Sequence, residues 1–221
     1  MDKNGVPYIK DHIPKYTKKR RPGYPLKYKK VCVHSTGNPT SKARGERGWL
    51  INVNNTDPYT GAHIFVDDAE AVEAIPLDEA AWHAGDGPDG KGNREAVSVE
   101  ICHSGNRART LLNAAKVVAW LLTEGGLTID DMTQHYDYNK KNCPSILRAN
   151  GGKGWQEFVE SVRVLMEGEE PNPLEAAIQT LTDAGIITSP EYWRLNAETG
   201  RFVKGEFVGS LILKMAEKLR R

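Results

Sequence analysis

Lys30-Val31-Cys32-Val33-His34-Ser35-Thr36-Gly37-Asn38 is a β-branched run that ends on a histidine and then breaks at Gly37. It reads as a buried strand. Successive side chains of a strand point to opposite faces, so Val31 and Val33 share one side while Cys32 and His34 share the other. A polar side chain at the C-terminal end of such a strand is where the sites of α/β proteins gather. Further on, His135-Tyr136-Asp137-Tyr138-Asn139-Lys140-Lys141-Asn142-Cys143-Pro144 places a histidine and a cysteine, seven residues between them, on a stretch that reads as an irregular polar loop. His34, His135 and Cys143 together offer two imidazoles and one thiolate to a tetrahedral metal. A fourth position left to water or substrate separates a catalytic zinc centre from a closed structural one.

Around these stretches, strand and helix signals are mixed. Val97-Ser98-Val99-Glu100-Ile101-Cys102 alternates strictly, which sends Val97, Val99 and Ile101 to one face and Ser98, Glu100 and Cys102 to the other. Residues 62–66 and 71–75, parted by Asp67-Asp68-Ala69-Glu70, predict a β-hairpin. Helical spacing runs over 110–124, where Leu111, Leu112, Ala115, Val118, Ala119 and Leu122 precede a stop at Gly125-Gly126. Further helices are predicted over about 42–52 and 153–167. Residues 1–30, rich in Lys and Arg and interrupted by Pro14, Pro22 and Pro25, read as an extended basic arm lying over the surface.

Length bounds the organisation. At roughly 150 residues per domain, 221 residues allow one domain and a small second module. Glu167-Gly168-Glu169-Glu170-Pro171-Asn172-Pro173 is acidic and proline-bearing, so the division is a main domain over 1–167, a linker over 168–173 and a helical module over 174–221. In that module 174–184 and 207–219 have amphipathic spacing, and Ser189-Pro190-Glu191 opens a short helix.

Thirty basic against 29 acidic side chains and a pI near 7.7 give no chain-wide attraction to nucleic acid or to a membrane surface. No apolar run approaches the roughly 20 residues of a membrane span, and no signal-peptide core follows Met1, so synthesis in the cytoplasm is expected. Cys32, Cys102 and Cys143 are odd in number and not closely paired. Disulfides are not expected, which leaves Cys143 free to act as a ligand.

Two more side chains carry chemistry. Glu100 is the carboxylate inside the clearest strand pattern. It reads either as a solvent-facing residue of an edge strand or as a general base beside a metal-bound water. Lys141, two residues before Cys143, reads either as a solvated lysine or as a donor to a developing oxyanion. Ala81-Trp82-His83-Ala84-Gly85-Asp86-Gly87 with Gly92-Asn93-Arg94 lacks the order of a phosphate cradle and suits a substrate rim, with Trp82, His83 and Asn93 as contacts. His63 is set among the candidate substrate-binding residues too, although by itself it reads as structural, as does His103.

At this point the chain resembles a known family, the zinc-dependent N-acetylmuramoyl-L-alanine amidases of the type-2 amidase family. These share their fold with phage T7 lysozyme and the animal peptidoglycan recognition proteins, and the Bacillus phage and prophage lysins look most alike. The resemblance runs from about Tyr8 to Phe158. It rests on Asp11-His12-Ile13-Pro14, Arg21-Pro22-Gly23-Tyr24, Val33-His34-Ser35-Thr36-Gly37-Asn38, His63-Ile64-Phe65-Val66-Asp67-Asp68, Trp82-His83-Ala84-Gly85-Asp86-Gly87, Gly92-Asn93-Arg94, Val99-Glu100-Ile101-Cys102 and Lys141-Asn142-Cys143-Pro144. By position it implies His34, His135 and Cys143 as zinc ligands, Glu100 as the acidic catalytic residue and Lys141 as the lysine that precedes the cysteine ligand. One feature departs from the pattern. Relatives such as the T7 enzyme carry a catalytic tyrosine before the hairpin histidine, where this chain has Ala62, so that role is missing or passes to Glu100.

The resemblance implies an α/β fold, a central mixed β-sheet flanked by helices with the metal in a surface cleft. The implied activity is hydrolysis of the amide between N-acetylmuramic acid and L-alanine of bacterial peptidoglycan. Neither nucleic acid nor membrane insertion is expected, and the implied setting is an endolysin released to the wall through a holin. A noncatalytic peptidoglycan-binding protein is the alternative. The C-terminal module resembles a helical segment at the end of some phage lysins, with wall binding and self-association both open.

Overall fold

Alternating Val, Ile and Ala residues build most of one seven-stranded sheet among the described residues, which in this computed structural model are 2–15, 17, 20–52, 60–167, 173–197 and 201–219. Its strands are β1 (Asp2–Lys3), β2 (Val6–Lys10), β3 (Lys30–Ser35), β4 (Ile64–Val66), β5 (Ala71–Glu73), β6 (Ala96–Ile101) and β7 (Met132–Gln134), in the spatial order β1-β2-β5-β4-β6-β3-β7. The sheet is mixed. β3 runs parallel to β6 and β7, β4 to β6 and β2 to β5, while β4–β5 and β1–β2 are antiparallel.

Helices cover both faces. They are α1 (Ala43–Asn52), α2 (Lys91–Glu95), α3 (Arg107–Glu124), α4 (His135–Asn139), α5 (Ser145–Arg148) and α6 (Lys153–Glu167). On one face Val31, Val33, Val97, Val99 and Ile101 share a core with Ala115, Val118 and Leu122 of α3 and with Phe158 and Val162 of α6. On the other, Phe65, Val72 and Cys102 pack with Ala43 and Leu50 of α1. Each fully buried Val or Leu adds roughly 1.5–3 kcal/mol of apolar burial, so the two-faced alternation of β6 is enforced by cores on both sides. The α3 helix begins at Arg107, three residues before the predicted start, because the Asn106 side chain caps it by accepting from the Arg109 amide at 3.0 Å.

Two expectations change. The N-terminal stretch is not a surface arm. Val6 and Tyr8 alternate into the core, and β2 joins the sheet beside β5. Tyr8 Oη donates to Glu73 Oε2 at 2.5 Å, and His12 Nε2 lies 2.6 Å from Glu73 Oε1, so a buried carboxylate ties the strand down. Basic residues around it hid a five-residue strand with two inward side chains. Second, β6 lies between β4 and β3, so Glu100 does not sit on an edge strand.

The chain divides into two compact units, Met1–Met166 and Glu167–Arg221. Most of the expected linker, residues 168–172, lies outside the described residues. The second unit contains α7 (Pro173–Asp183), α8 (Pro190–Asn196) and α9 (Gly205–Leu219), with Ile178, Ile186 and Ile187 as its buried centre. Among the described residues no helix is long and apolar enough to cross a membrane.

Replacing Tyr8 by Phe removes one partner of the buried Glu73 carboxylate and should destabilise the first unit by about 1–3 kcal/mol in urea unfolding. An unchanged midpoint would mean that β2 is not anchored through this bond.

Candidate metal centre

His34 stands one residue before the end of β3, where it pairs with Glu100 of β6. The register sets Val33 opposite Gln134, so β7 gives way to α4 directly beside His34. His135 is the first residue of α4, and the His34 and His135 ring centroids are 4.7 Å apart. The expected irregular loop is thus a short helix at its start. Lys140, with φ 64°, closes α4 in the left-handed conformation and turns the chain back. Cys143 is held there by Tyr136, whose amide donates to the Cys143 carbonyl at 3.1 Å, while the Ser35 amide donates to Cys143 Sγ at 3.4 Å.

The three ligand atoms of His34, His135 and Cys143 lie within 4.8 Å of one another, and all three residues are buried. Cys143 Sγ is 3.8 Å from His34 Nδ1. Zinc bonds of about 2.0–2.3 Å in a tetrahedron set ligand atoms roughly 3.5 Å apart, so this donor set fits such an ion. Electrostatics agree. Burial holds the His34 imidazole well below the ordinary histidine range, with His83 and His135 adding to the effect. Burial, helped by Lys141, lowers His135 to about 4. Both rings are therefore neutral and can offer a lone pair. The Cys143 thiol is pushed up to about 11 by burial, with Glu100 adding to the rise, so a thiolate there needs a cation beside it.

Glu100 faces His34 across the β3–β6 pairing, its Oε1 3.8 Å from His34 Nδ1. Its Oε2 is buried with no hydrogen-bond partner among the described residues. Burial raises this carboxyl to about 8, with Glu46 adding and Lys141 opposing. Lys141 is exposed and lines the same cleft, which has a volume of about 670 Å³ and includes His34, His135, Cys143, Glu100 and Trp82 in its walls.

Three of the expected substrate contacts are placed differently. His63 is wholly buried, accepting from the Ser98 amide at Nδ1 (3.0 Å) and donating from Nε2 to the Glu79 carbonyl (2.8 Å). It braces the hairpin and does not face the cleft. Asn93, 3% exposed, accepts from the His83 and Ala84 amides through Oδ1 and donates to the Gly87 carbonyl, so it fastens its own loop. His83 reaches the cleft floor but is 7% exposed, and both ring nitrogens are engaged within the protein, with His34 Nε2 at 3.0 Å and the Ala96 carbonyl at 3.2 Å. Burial lowers His83 to about 3.

Glu46 was not among the expected site residues. It lines the cleft from α1 at 7% exposure, and its Oε1 has no hydrogen-bond partner among the described residues. The signal was present: Glu46 shares the buried stripe of Ala43 and Leu50, where a carboxylate is out of place.

Residues 24–146, more than half of the chain, match the N-acetylmuramoyl-L-alanine amidase family. The chain belongs to this family of enzymes. Among curated N-acetylmuramoyl-L-alanine amidases it is 39% identical to CwlA of a Bacillus species over 136 residues, covering 60% of this chain and 53% of that protein. With CwlH of Bacillus subtilis it shares 30% identity over 185 residues, 82% of this chain and 70% of the relative. Against the first of these relatives, the two CwlA proteins, the chain spans about half of their length. The solved catalytic domain of XlyA superposes with a TM-score of 0.64 at 32% identity, covering 71% of this chain and 99% of that domain.

The candidate metal centre also depends on close packing. Gly85 has φ +65°, and a Cβ there would lie 2.2 Å from Asn139 Nδ2, whose amide sits 3.0 Å from His135 Nε2. Gly85→Ala should therefore displace α4 and cost about 1–3 kcal/mol of stability, with chemical-shift changes at His135. A variant with wild-type stability and an unmoved His135 would contradict this packing.

Proposed function

We propose that this chain is a zinc-dependent N-acetylmuramoyl-L-alanine amidase, cutting the amide between N-acetylmuramic acid and L-alanine in bacterial peptidoglycan in the manner of a phage or prophage endolysin. The observation that carries the reading is a buried two-imidazole, one-thiol cluster on a cleft whose wall includes Glu100, with Glu100 Oε1 3.8 Å from His34 Nδ1 and its Oε2 buried without a hydrogen-bond partner among the described residues. His34, His135 and Cys143 would hold the ion. Bound there, zinc supplies a Lewis acid that polarises a carbonyl and lowers the pKa of water.

The chain's own groups do the rest. Glu100, ionised once a cation lies beside it, would take the proton of the attacking water and return it to the departing amine of L-alanine. Lys141, exposed at the cleft, donates to the oxyanion that forms on the lactyl carbonyl. Trp82, stacked at a tilt on Tyr24 with centroids 5.9 Å apart, offers an apolar wall for the sugar or stem peptide.

Digestion of purified Bacillus peptidoglycan, followed by mass spectrometry, tests the reading. New L-alanine amino termini without new reducing ends are expected, lost on zinc chelation. Glu100→Gln should keep the metal and lower turnover by at least about 10²-fold, whereas Cys143→Ser should lose the metal itself. Wall binding without cleavage by the zinc-loaded protein would overturn the amidase assignment and favour a noncatalytic binder.

For the second unit we propose wall attachment. Phe202 and Leu213 are 92% and 73% exposed, which supports a contact surface. Replacing both by Ser in the full chain should reduce co-sedimentation with intact walls and leave its own sedimentation coefficient unchanged. A shift from dimer to monomer, with wall binding intact, would assign the surface to self-association.

A further inference from the structure

His83 Nε2 lies 3.2 Å from the carbonyl oxygen of Ala96, the first residue of β6. A carbonyl oxygen only accepts, so Nε2 carries the proton of this ring and Nδ1 keeps a lone pair. That Nδ1 is 3.0 Å from His34 Nε2. A lone pair there needs a donor, and His34 supplies it only when its own proton is on Nε2. Reversing both tautomers would keep a bond between the two rings but set the His83 Nε2 lone pair against the Ala96 carbonyl. Cys32 Sγ, also 3.0 Å from His34 Nε2, is a weak acceptor and takes a share of the same proton.

The consequence appears on the other side of the His34 ring. With the proton on Nε2, Nδ1 is the basic nitrogen, and Nδ1 is the atom that lies 3.8 Å from Cys143 Sγ and 3.8 Å from Glu100 Oε1. The His83 backbone is held by its amide, which donates to Asn93 Oδ1 at 2.8 Å, and its ring is held at both nitrogens.

We infer that His83 is a positioning residue: a relay from the Ala96 carbonyl through His83 fixes His34 in the Nε2-protonated tautomer and keeps the Nδ1 lone pair aimed at the metal position. The tautomer is a property of the metal-free chain, and only its benefit to metal binding rests on the proposed zinc reading. In a neutral imidazole the bond made by one nitrogen decides what the other can ligate. This role replaces the substrate contact expected of His83 and explains why a histidine with no free nitrogen lies beneath the cleft.

The test uses the full-length protein. Long-range ¹H–¹⁵N correlation spectra of the metal-free wild type should give His34 the Nε2–H pattern. An Nδ1–H pattern or an even mixture would overturn the inference whatever the variants do. His83→Phe removes the acceptor and should release His34 to a mixture of tautomers and weaken zinc binding about 10–100-fold in chelator competition. His83→Asn, whose Oδ1 can occupy the Nδ1 position, should recover both readouts. Phe and Asn variants equal to wild type in tautomer and affinity would make His83 a packing residue only. Two zinc ions per wild-type chain would instead make Cys32, His34 and His83 a second metal site and overturn the relay. A wild type that binds no zinc yet shows the Nε2–H pattern would remove the metal reading and leave the tautomer relay standing.

Discussion

The parallel pairing of β3 with β6 on one side and β7 on the other is the constraint on which the site depends. Paired strands lie about 4.8 Å apart, so the register that faces His34 with Glu100, and Val33 with Gln134, brings three distant segments to one point. A slip of one residue on any of these strands would turn its functional side chain into the opposite core. Cores on both faces of the sheet resist that slip. Val31, Val33, Val97 and Val99 are buried against α3, and Phe65 and Cys102 against α1.

Burial then determines the chemistry. It keeps the two histidines neutral and the thiol and Glu100 protonated in the absence of a cation. A divalent ion would reverse the penalty on the thiolate, because its charge compensates the negative sulfur. Buried polar atoms almost always find partners. Glu100 Oε2 and Glu46 Oε1 have none among the described residues, and both belong to residues of the cleft wall. Such groups cost stability in the free protein, and a ligand that satisfies them recovers it.

Much of this was readable from residue patterns, for reasons that differ by element. Strands β3 and β6 and helices α3 and α6 carry long periodic runs, and their positions follow from the pattern within a few residues. Strand β7 has three residues and no alternation to speak of, and β2 is masked by flanking charge. Neither stands out from a loop. At the site, His34, His135, Cys143, Glu100 and Lys141 are brought to one cleft. What patterns could not convey is direction. His63, His83 and Asn93 are polar residues in a glycine-rich or hairpin context, which resembles a substrate rim, yet each spends its hydrogen bonds on the protein. Glu46 stands out only by sharing the stripe of Ala43 and Leu50, a weak signal on a helix that also carries Arg44 and Arg47.

X-ray absorption at the zinc edge of the zinc-loaded protein is the most direct measurement of the central assignment. The account predicts one sulfur at about 2.3 Å, with the remaining nitrogen and oxygen neighbours at about 2.0–2.1 Å. A shell with two sulfurs, or one with no sulfur at all, would contradict it.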